Sequence, residues 1–127
     1  WFHELLTGND IQIFGNGMQI RDLNYVDDVV SALLLCAAHP SARGKIYNLG
    51  GEPVNLLNLA SLMIEVNGSG NYVIVPFPES RKRIEIGDYH GDYSLIKGDV
   101  GWEPQISLRD GIAKSLKYYH VNKGHYL

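Results

Sequence analysis

The sequence predicts an α/β fold, and three observations support this prediction. Short apolar stretches bounded by turn residues alternate with helical stretches along the whole chain. The 127 residues suffice for one modest domain, and no internal repeat or Pro/Gly-rich linker divides them. A hydrophobic content of 45% with 20% charged residues is ordinary for a folded globular chain. We therefore expect one domain of mixed short strands with about four to five helices.

The individual elements follow from periodicity and from turn chemistry. The predicted helices are residues 1–7, 27–38, 56–66, 95–100 and 108–119. The predicted strands or extended pieces are residues 11–14, 21–24, 45–49, 72–75 and 83–86. Asn55 is a good N-cap for the third of these helices, and Gly68 follows its end. The first strand should end at the glycine turn of residues 15–17.

The second predicted helix is apolar almost all round its circumference. Asp27 and Asp28 place negative charge at its N-terminus, where they meet the positive end of the helix dipole. Such a helix is normally buried on several sides. Burying it needs more surrounding structure than this short chain supplies. Cys36 lies in the same apolar run and is predicted to be a buried small residue.

Composition argues against several classes of function. The net charge is −3, and the one basic cluster, residues 81–83, is too short for a nucleic-acid footprint. The longest apolar stretch, residues 32–38, is far too short to cross a bilayer. A single cysteine excludes an intrachain disulfide, and residues 1–6 do not resemble a signal peptide; together these features predict a cytoplasmic setting. The chain opens inside an apolar pattern without Met, which predicts a fragment of a longer protein.

A strand, a glycine turn, an arginine and an acid-capped helix follow one another in residues 13–30. Arg21, just before the helix, has a planar guanidinium that could bind a diphosphate in bidentate fashion. The alternative is structural: Arg21 pairs with Asp22 or Asp27. From the residues alone, both interpretations stay open.

Three blocks of sequence, in order, resemble nucleotide-sugar enzymes. The blocks are Gly15-x-Gly17 with Arg21-Asp22 and Tyr25-Val26-Asp27-Asp28-Val29; Lys45-Ile46-Tyr47-Asn48-Leu49-Gly50-Gly51 followed by Asn55-Leu56-Leu57; and Gly87-Asp88, Asp92-Tyr93-Ser94 and Gly101-Trp102-Glu103-Pro104. They are similar to motifs of the extended short-chain dehydrogenase family, which contains UDP-glucose 4-epimerases and dTDP-glucose 4,6-dehydratases. The resemblance covers nearly the whole chain. It implies the C-terminal, substrate-binding portion of such an enzyme, with the Rossmann cofactor core outside this sequence and residues 26–50 packed on that core's edge.

The resemblance also implies a set of substrate-binding residues: Gln12, Phe14, Arg21, Asn55, Leu56 and Asp88. Gln12 and Phe14 would lie beside the nucleotide base, with Phe14 as its aromatic wall, and Arg21 would hold the diphosphate. Asn55 and Leu56 would approach the base or the ribose, although Asn55 is also explained as a helix cap.

Asp88 would reach the ribose or order the neighbouring loop, although a solvated turn acid has the same pattern. Glu85 departs from the family, which often places a second diphosphate-binding Arg at this position. Its carboxylate would repel a phosphate, and Arg81 or Arg83 could substitute from the same loop. Leu95 likewise replaces the usual Lys of the third block.

Two Tyr-x-x-x-Lys spacings, Tyr93/Lys97 and Tyr119/Lys123, match the catalytic pair of short-chain dehydrogenases, but they lie outside its catalytic helix and are rejected as chance matches. The Gly15-x-Gly17 turn lacks the third glycine of a dinucleotide loop, so this chain is not expected to bind NAD. Asp88, His90 and Asp92 are not specific to any metal ion, and no metal is expected.

The predicted function is to bind a nucleotide-diphosphate sugar and orient it for oxidation by NAD held in the domain outside this sequence. The alternative is a free-standing binding or assembly module of the same ancestry without chemistry of its own. In either case the chain is predicted to be inactive alone. It is also expected to form homodimers or to self-associate through its exposed apolar surface, with no nucleic-acid or membrane partner.

Overall fold

The computed structural model describes residues 1–126 and shows a mixed α/β fold. The helices are α1 (Phe2–Thr7), α2 (Val26–Ala38), α3 (Leu56–Asn67), α4 (Glu79–Lys82), α5 (Ser94–Val100), α6 (Leu108–Val121) and α7 (Lys123–Tyr126). The strands are β1 (Ile11–Phe14), β2 (Ile20–Asp22), β3 (Pro53–Asn55) and β4 (Tyr72–Val75). A short 3-10 turn, Pro40–Ala42, follows α2. The five predicted helices and the strands at 11–14 and 72–75 are therefore confirmed, and the extended piece at 21–24 begins one residue earlier as β2.

Two small sheets organise the chain. Strand β1 pairs in parallel with β4, from Ile11 opposite Tyr72 to Phe14 opposite Val75, and α3 lies in the connection between them. Strand β2 pairs antiparallel with β3, which runs directly into α3. Because strand side chains alternate between faces, Ile11 and Ile13 are fully buried while Gln12, between them, is exposed. The ends of β1 and β4 therefore lie side by side next to the start of α3.

The main core lies beneath α3 and α6. Its buried apolar residues are Leu5, Leu6, Ile11, Ile13, Leu59, Ala60, Met63, Ile112 and Leu116. Helix α3 begins as expected, because Asn55 Oδ1 accepts a hydrogen bond from Asn58 N at 2.8 Å. It ends at Gly68, which has φ 77°, a left-handed conformation that glycine adopts without strain. The sequence signals for this helix thus fix both of its ends.

A second, smaller cluster joins α2 to α5 and to the segment that follows α5. It contains Ala32, Ile96 and Trp102, with Cys36 packed half-buried at its edge rather than fully buried as predicted. The Trp102 indole donates to Asp28 O at 2.9 Å. The Asp28 carboxylate accepts from Gln105 N at 3.1 Å and from Ile106 N at 3.0 Å. Asp28 was predicted to interact favourably with the helix dipole. Its carboxylate also fixes the loop that contains Gln105 and Ile106.

The apolar face of α2 lacks cover within the part of the chain that the structure describes. Asp28 and Ala32 are its buried residues, whereas Leu33 and Leu34 are 65% and 66% exposed. The shortage of covering sequence predicts this exposure. Among residues 1–126, no helix has both the length and the apolar character needed to cross a membrane.

One predicted strand and one predicted extended piece are wrong. Residues 45–49 pair with no strand among the described residues, and Ile46 is 90% exposed. Side chains attach this segment instead, since Lys45 Nζ and Tyr47 Oη bind Asp99 Oδ2 at 2.7 and 2.8 Å.

Residues 83–86 form a turn and a loop rather than a strand. Among residues 1–126, no strand pairs with their backbone. The loop is instead attached to β2 by side-chain hydrogen bonds from Arg21 and by one backbone hydrogen bond, from Tyr89 N to Ile20 O at 3.0 Å.

Candidate functional site

A groove of about 330 Å³ opens where β1 and β4 end beside the start of α3. We call it the Phe14 groove; the residues that line it include Gln12, Phe14, Gln19, Leu56, Arg81 and Glu85. Three of the six substrate-binding residues predicted from sequence, Gln12, Phe14 and Leu56, therefore meet at one concave surface. Its size lies at the lower end of the range for small-molecule sites.

Local geometry explains why Phe14 stands at the rim. The chain turns sharply after β1, and Gly15 and Gly17 adopt φ angles of 74° and 68°. A Cβ on Gly17 would lie 2.9 Å from the Ile13 side chain, so this position needs glycine for space as well as for conformation. Leu57 N donates to Gly17 O at 3.0 Å, which fixes the turn against α3. The turn thus leaves Phe14 beside Leu56.

The aromatic wall of the groove has two rings and a cation. Phe77 meets Phe14 edge-on, with ring centroids 6.0 Å apart at 62°. The Arg81 guanidinium carbon lies 5.1 Å from the centroid of the Phe14 ring. Of the two arginines proposed from sequence to replace the cation missing at Glu85, Arg81 is the one that lines the groove.

Arg21 lies at the base of the loop of residues 85–88 and forms an ion pair there. Its Nη2 donates to Glu85 Oε1 at 2.8 Å, and its Nη1 donates to Gly87 O at 2.5 Å and to Ile20 O at 2.7 Å. The partner is thus Glu85, and not Asp22 or Asp27 as the structural alternative supposed. Arg21 is not among the residues that line the Phe14 groove, whereas its partner Glu85 is.

Asp88 and Asn55 have structural contacts. Asp88 Oδ1 accepts from Ile20 N at 2.9 Å and so holds the loop against β2. Asn55 caps α3 and lines a different, larger cleft of about 550 Å³ that also includes Ser107 and Arg109. We favour the Phe14 groove over this larger cleft because Asn55 is the one predicted site residue that lines the larger cleft, and no aromatic ring borders it.

Sequence reasoning missed one organising residue. Asp22 Oδ2 accepts from Gly51 N at 3.2 Å and from Gly91 N at 2.8 Å, and so joins three separate segments. A Cβ on Gly50 would collide with the carbonyl oxygen of Gly91, so the two backbones cross in direct contact. The Arg21-Asp22 pair and the double glycine at 50–51 are visible in the sequence. The contact itself could not be predicted, because the partners of Asp22 lie 29 and 69 residues from it.

The two Tyr-x-x-x-Lys spacings do not form catalytic pairs. The Lys97 ammonium binds the Glu103 carboxylate, and this hydrogen bond raises the pKa of Lys97. Lys123 Nζ donates to Leu6 O at 2.9 Å. Each ammonium is thus committed to a partner other than the tyrosine four residues before it.

The glycine turn after β1 does not fit a dinucleotide. It leads into strand β2, whereas a dinucleotide loop leads into a helix whose N-terminus faces the pyrophosphate. Among the described residues, no three His, Cys, Asp or Glu side chains are grouped to hold a metal ion. Asp88 instead binds Ile20 N, and Asp92 accepts from Ser94 N, a hydrogen bond that lowers the pKa of the Asp92 carboxyl.

The structure shows a mixed α/β fold with a concave candidate site, and comparison with known proteins gives its family. Residues 1–50 match the NAD dependent epimerase/dehydratase family. The chain is 35% identical over 121 residues to a dTDP-glucose 4,6-dehydratase of an Actinoplanes species, a match that covers 94% of this chain and 37% of that protein.

Comparison with solved structures supports the same family. The chain superimposes on a UDP-glucose 4-epimerase from Thermotoga maritima, solved with UDP-glucose, with a TM-score of 0.84 and 29% identity over 96% of this chain and 38% of that one. A dTDP-glucose 4,6-dehydratase from Streptomyces venezuelae, solved with NAD, gives a TM-score of 0.85 and 25% identity, over 98% of this chain and 38% of that one. The chain therefore belongs to the NAD-dependent epimerase/dehydratase family, and it spans a little over a third of the length of these relatives.

Proposed function

We propose that this chain is the part of an NAD-dependent sugar epimerase/dehydratase that binds a nucleotide-diphosphate sugar. The observation that carries the proposal is the meeting of Gln12, Phe14 and Leu56 at one groove, with Arg81 over the Phe14 ring. An aromatic face beside a cation suits a nucleotide, which combines a flat base with negative charge. The similar epimerase from Thermotoga maritima was solved with UDP-glucose, which supports the same class of ligand.

In this proposal the base and the diphosphate of the ligand lie at different points of the groove. The base would lie on Phe14, and the diphosphate would approach Arg21 near the loop of residues 85–88. Glu85 presently holds one side of the Arg21 guanidinium, so a phosphate oxygen must replace or accompany that carboxylate. In this arrangement Asp88 keeps the loop in place through Ile20 N, 2.9 Å from its carboxylate oxygen.

A second part of the proposal concerns residues 26–50, which would pack on the edge of a cofactor-binding domain. The support is the uncovered apolar face of α2, the 90% exposed Ile46 and a segment 45–49 with no strand partner among the described residues. Relatives in which this chain spans about 37% of the length have further chain available for such a domain. The sugar held in the groove would then be oriented toward a cofactor in that domain.

Calorimetric titration of the protein that carries this sequence with UDP-, dTDP-, GDP- and CDP-sugars tests the proposal. We expect binding of at least one of them, and Phe14→Ala should weaken it about tenfold or more because the aromatic wall is lost. Tyr72→Ala is the matched control, since Tyr72 is an aromatic strand residue outside the groove. Absence of heat with all four ligands would overturn the proposal, and binding without turnover would indicate the non-catalytic module.

A further inference from the structure

The loop of residues 85–88 is attached to strand β2 at two points that differ in character. At the end of the loop, Asp88 Oδ1 accepts from Ile20 N at 2.9 Å, and Tyr89 N, one residue further, donates to Ile20 O at 3.0 Å. Both hydrogen bonds use the backbone of a strand residue, and neither uses a cationic side chain. An anion competes most strongly for cationic donors, so this attachment should remain when an anionic ligand binds.

The other point of attachment is the ion pair of Arg21 with Glu85. Glu85 Oε1 accepts from Arg21 Nη2 at 2.8 Å and from Gly87 N at 3.0 Å, so the carboxylate folds back onto its own loop. The two side chains are 26% and 29% exposed, and Glu85 lines the Phe14 groove. Because water screens an ion pair this accessible, its net contribution to stability is small and a competing anion can open it.

We propose that Glu85 is an internal competitor for the diphosphate: its carboxylate occupies Arg21 in the unliganded protein, and a bound diphosphate displaces it and frees residues 85–87. Carboxylate and phosphate oxygens are alternative acceptors for the same guanidinium, and a diphosphate carries more negative charge than one carboxylate. The hydrogen bond from Arg21 Nη1 to Ile20 O, at 2.7 Å, keeps the guanidinium in place when Glu85 leaves. This inference rests on the proposed function, since it concerns the regulation of the same site.

Because the competitor must leave first, it lowers the apparent affinity for every diphosphate ligand. The protein that carries this sequence is titrated with UDP, dTDP, GDP and CDP and with the four corresponding nucleosides. Glu85→Gln should tighten the diphosphates that bind by about twofold to fivefold, the range for an accessible ion pair, and leave the nucleosides unchanged. Glu79→Gln is the matched control, since Glu79 is a nearby acid that pairs with Lys82 at 2.6 Å outside the groove. We expect it to bind like the unaltered protein.

Arg21→Gln distinguishes competition from simple repulsion. If Glu85 acts by occupying Arg21, adding Glu85→Gln to Arg21→Gln should not tighten the diphosphates. A gain that remains in the double variant would show that the Glu85 charge only repels the ligand, and would overturn the internal competitor.

Hydrogen exchange of the unaltered protein tests the displacement without any variant. A saturating diphosphate should speed exchange of the Gly87 N–H, which loses its Glu85 acceptor, while the Tyr89 N–H keeps its rate because its bond to Ile20 O remains. Unchanged or slower exchange at Gly87, or equal diphosphate affinity of the unaltered protein and Glu85→Gln, would overturn the internal competitor and leave the proposed function intact. If none of the four diphosphates binds either protein, the proposed function fails and the competitor fails with it.

Discussion

Helices α2 and α3 are of similar length and similar apolar content, yet they meet opposite environments. In α3, Leu59, Ala60 and Met63 are buried against β1 and α6. In α2, Leu33 and Leu34 project largely into solvent, and the helix is held by Ala32 and by the polar contacts of Asp28. The region around α3 therefore has a complete core, whereas the apolar residues of α2 remain exposed to solvent.

Because of this difference, the α3 region should determine the stability of the chain and the α2 face its association with other surfaces. The region around α3 buries its apolar area within the chain, so its residues contribute to the free energy of unfolding directly. The exposed face of α2 contributes little to that free energy, but it presents an apolar patch of the kind that marks an interface. Substitutions in the two regions should consequently alter different measurements.

The largest effect is expected in the α3 region. Ile13→Ala removes buried methyl groups from a fully buried position beneath the groove, and should lower the free energy of unfolding by about 2–5 kcal/mol. Leu34→Ala on α2 should change it by no more than about 0.5 kcal/mol. Denaturant unfolding of both variants measures the contrast. Similar losses at the two positions would show that the α2 face is already covered in solution.

A smaller loss is expected at the polar attachment of α2. Asp28→Ala leaves the N–H groups of Gln105 and Ile106 without their acceptor and should cost about 1–3 kcal/mol. Asp27→Ala is the control, because Asp27 is in the same helical turn, is exposed and approaches only Lys114, at 3.9 Å. If the two variants unfold at the same denaturant concentration, the Asp28 contacts do not hold the loop.

Elements with strong local signals could be predicted from the sequence. Asn55 and Gly68 mark the ends of α3 because a cap is a contact between residues close in sequence. Strand β1 followed from the alternation of Ile11 and Ile13 with Gln12. The segments at 45–49 and 83–86 have strand-like composition, but a strand also needs a neighbouring strand edge, and composition does not reveal whether one is present.

The candidate site was also predictable only in part. Gln12 and Phe14 lie on β1 and Leu56 begins α3, and the three of them share the groove. The hydrogen bond from Leu57 N to Gly17 O holds these two segments together. The ion pair of Arg21 with Glu85 joins residues 64 positions apart, which the short-range alternatives for Arg21 did not include. Gln19 lines the groove without a signal in the sequence, whereas Arg81 was predicted only as a replacement cation for the diphosphate and lies over the Phe14 ring.

The exposed face of α2 should affect association rather than stability. The double variant Leu33→Gln, Leu34→Gln should keep the unfolding free energy within about 0.5 kcal/mol, since glutamine is a good helix former. It should bind less of a hydrophobic dye and sediment closer to the monomer than the unaltered chain does. Lys117→Gln, a surface change on α6, serves as the control. A chain that sediments as a monomer and binds no dye before substitution would contradict the interface.

The smallest effect is expected at the contact that holds segment 45–47 to α5, and it should depend on pH. The hydrogen bonds from Lys45 and Tyr47 lower the pKa of the Asp99 carboxyl below 3.8, so their stabilising effect is present above that value and is lost as pH falls through the lowered pKa.

For Tyr47 the pH dependence of stability has the opposite sign, because its pKa is raised instead of lowered. Desolvation and the hydrogen bond to Asp99 raise the pKa of Tyr47 from 10.0 to about 12, so this contact is complete below pH 10 and is lost as pH rises to about 12. Absorbance titration of the tyrosines should show a late-ionising phenol that disappears in Tyr47→Phe. Asp99→Asn should move that ionisation down toward pH 10 and reduce the loss of stability in acid. A Tyr47 that ionises at its ordinary value in the unaltered chain would mean that segment 45–47 is not bound to α5, and that the region around α2 is looser than the Asp28 contacts alone imply.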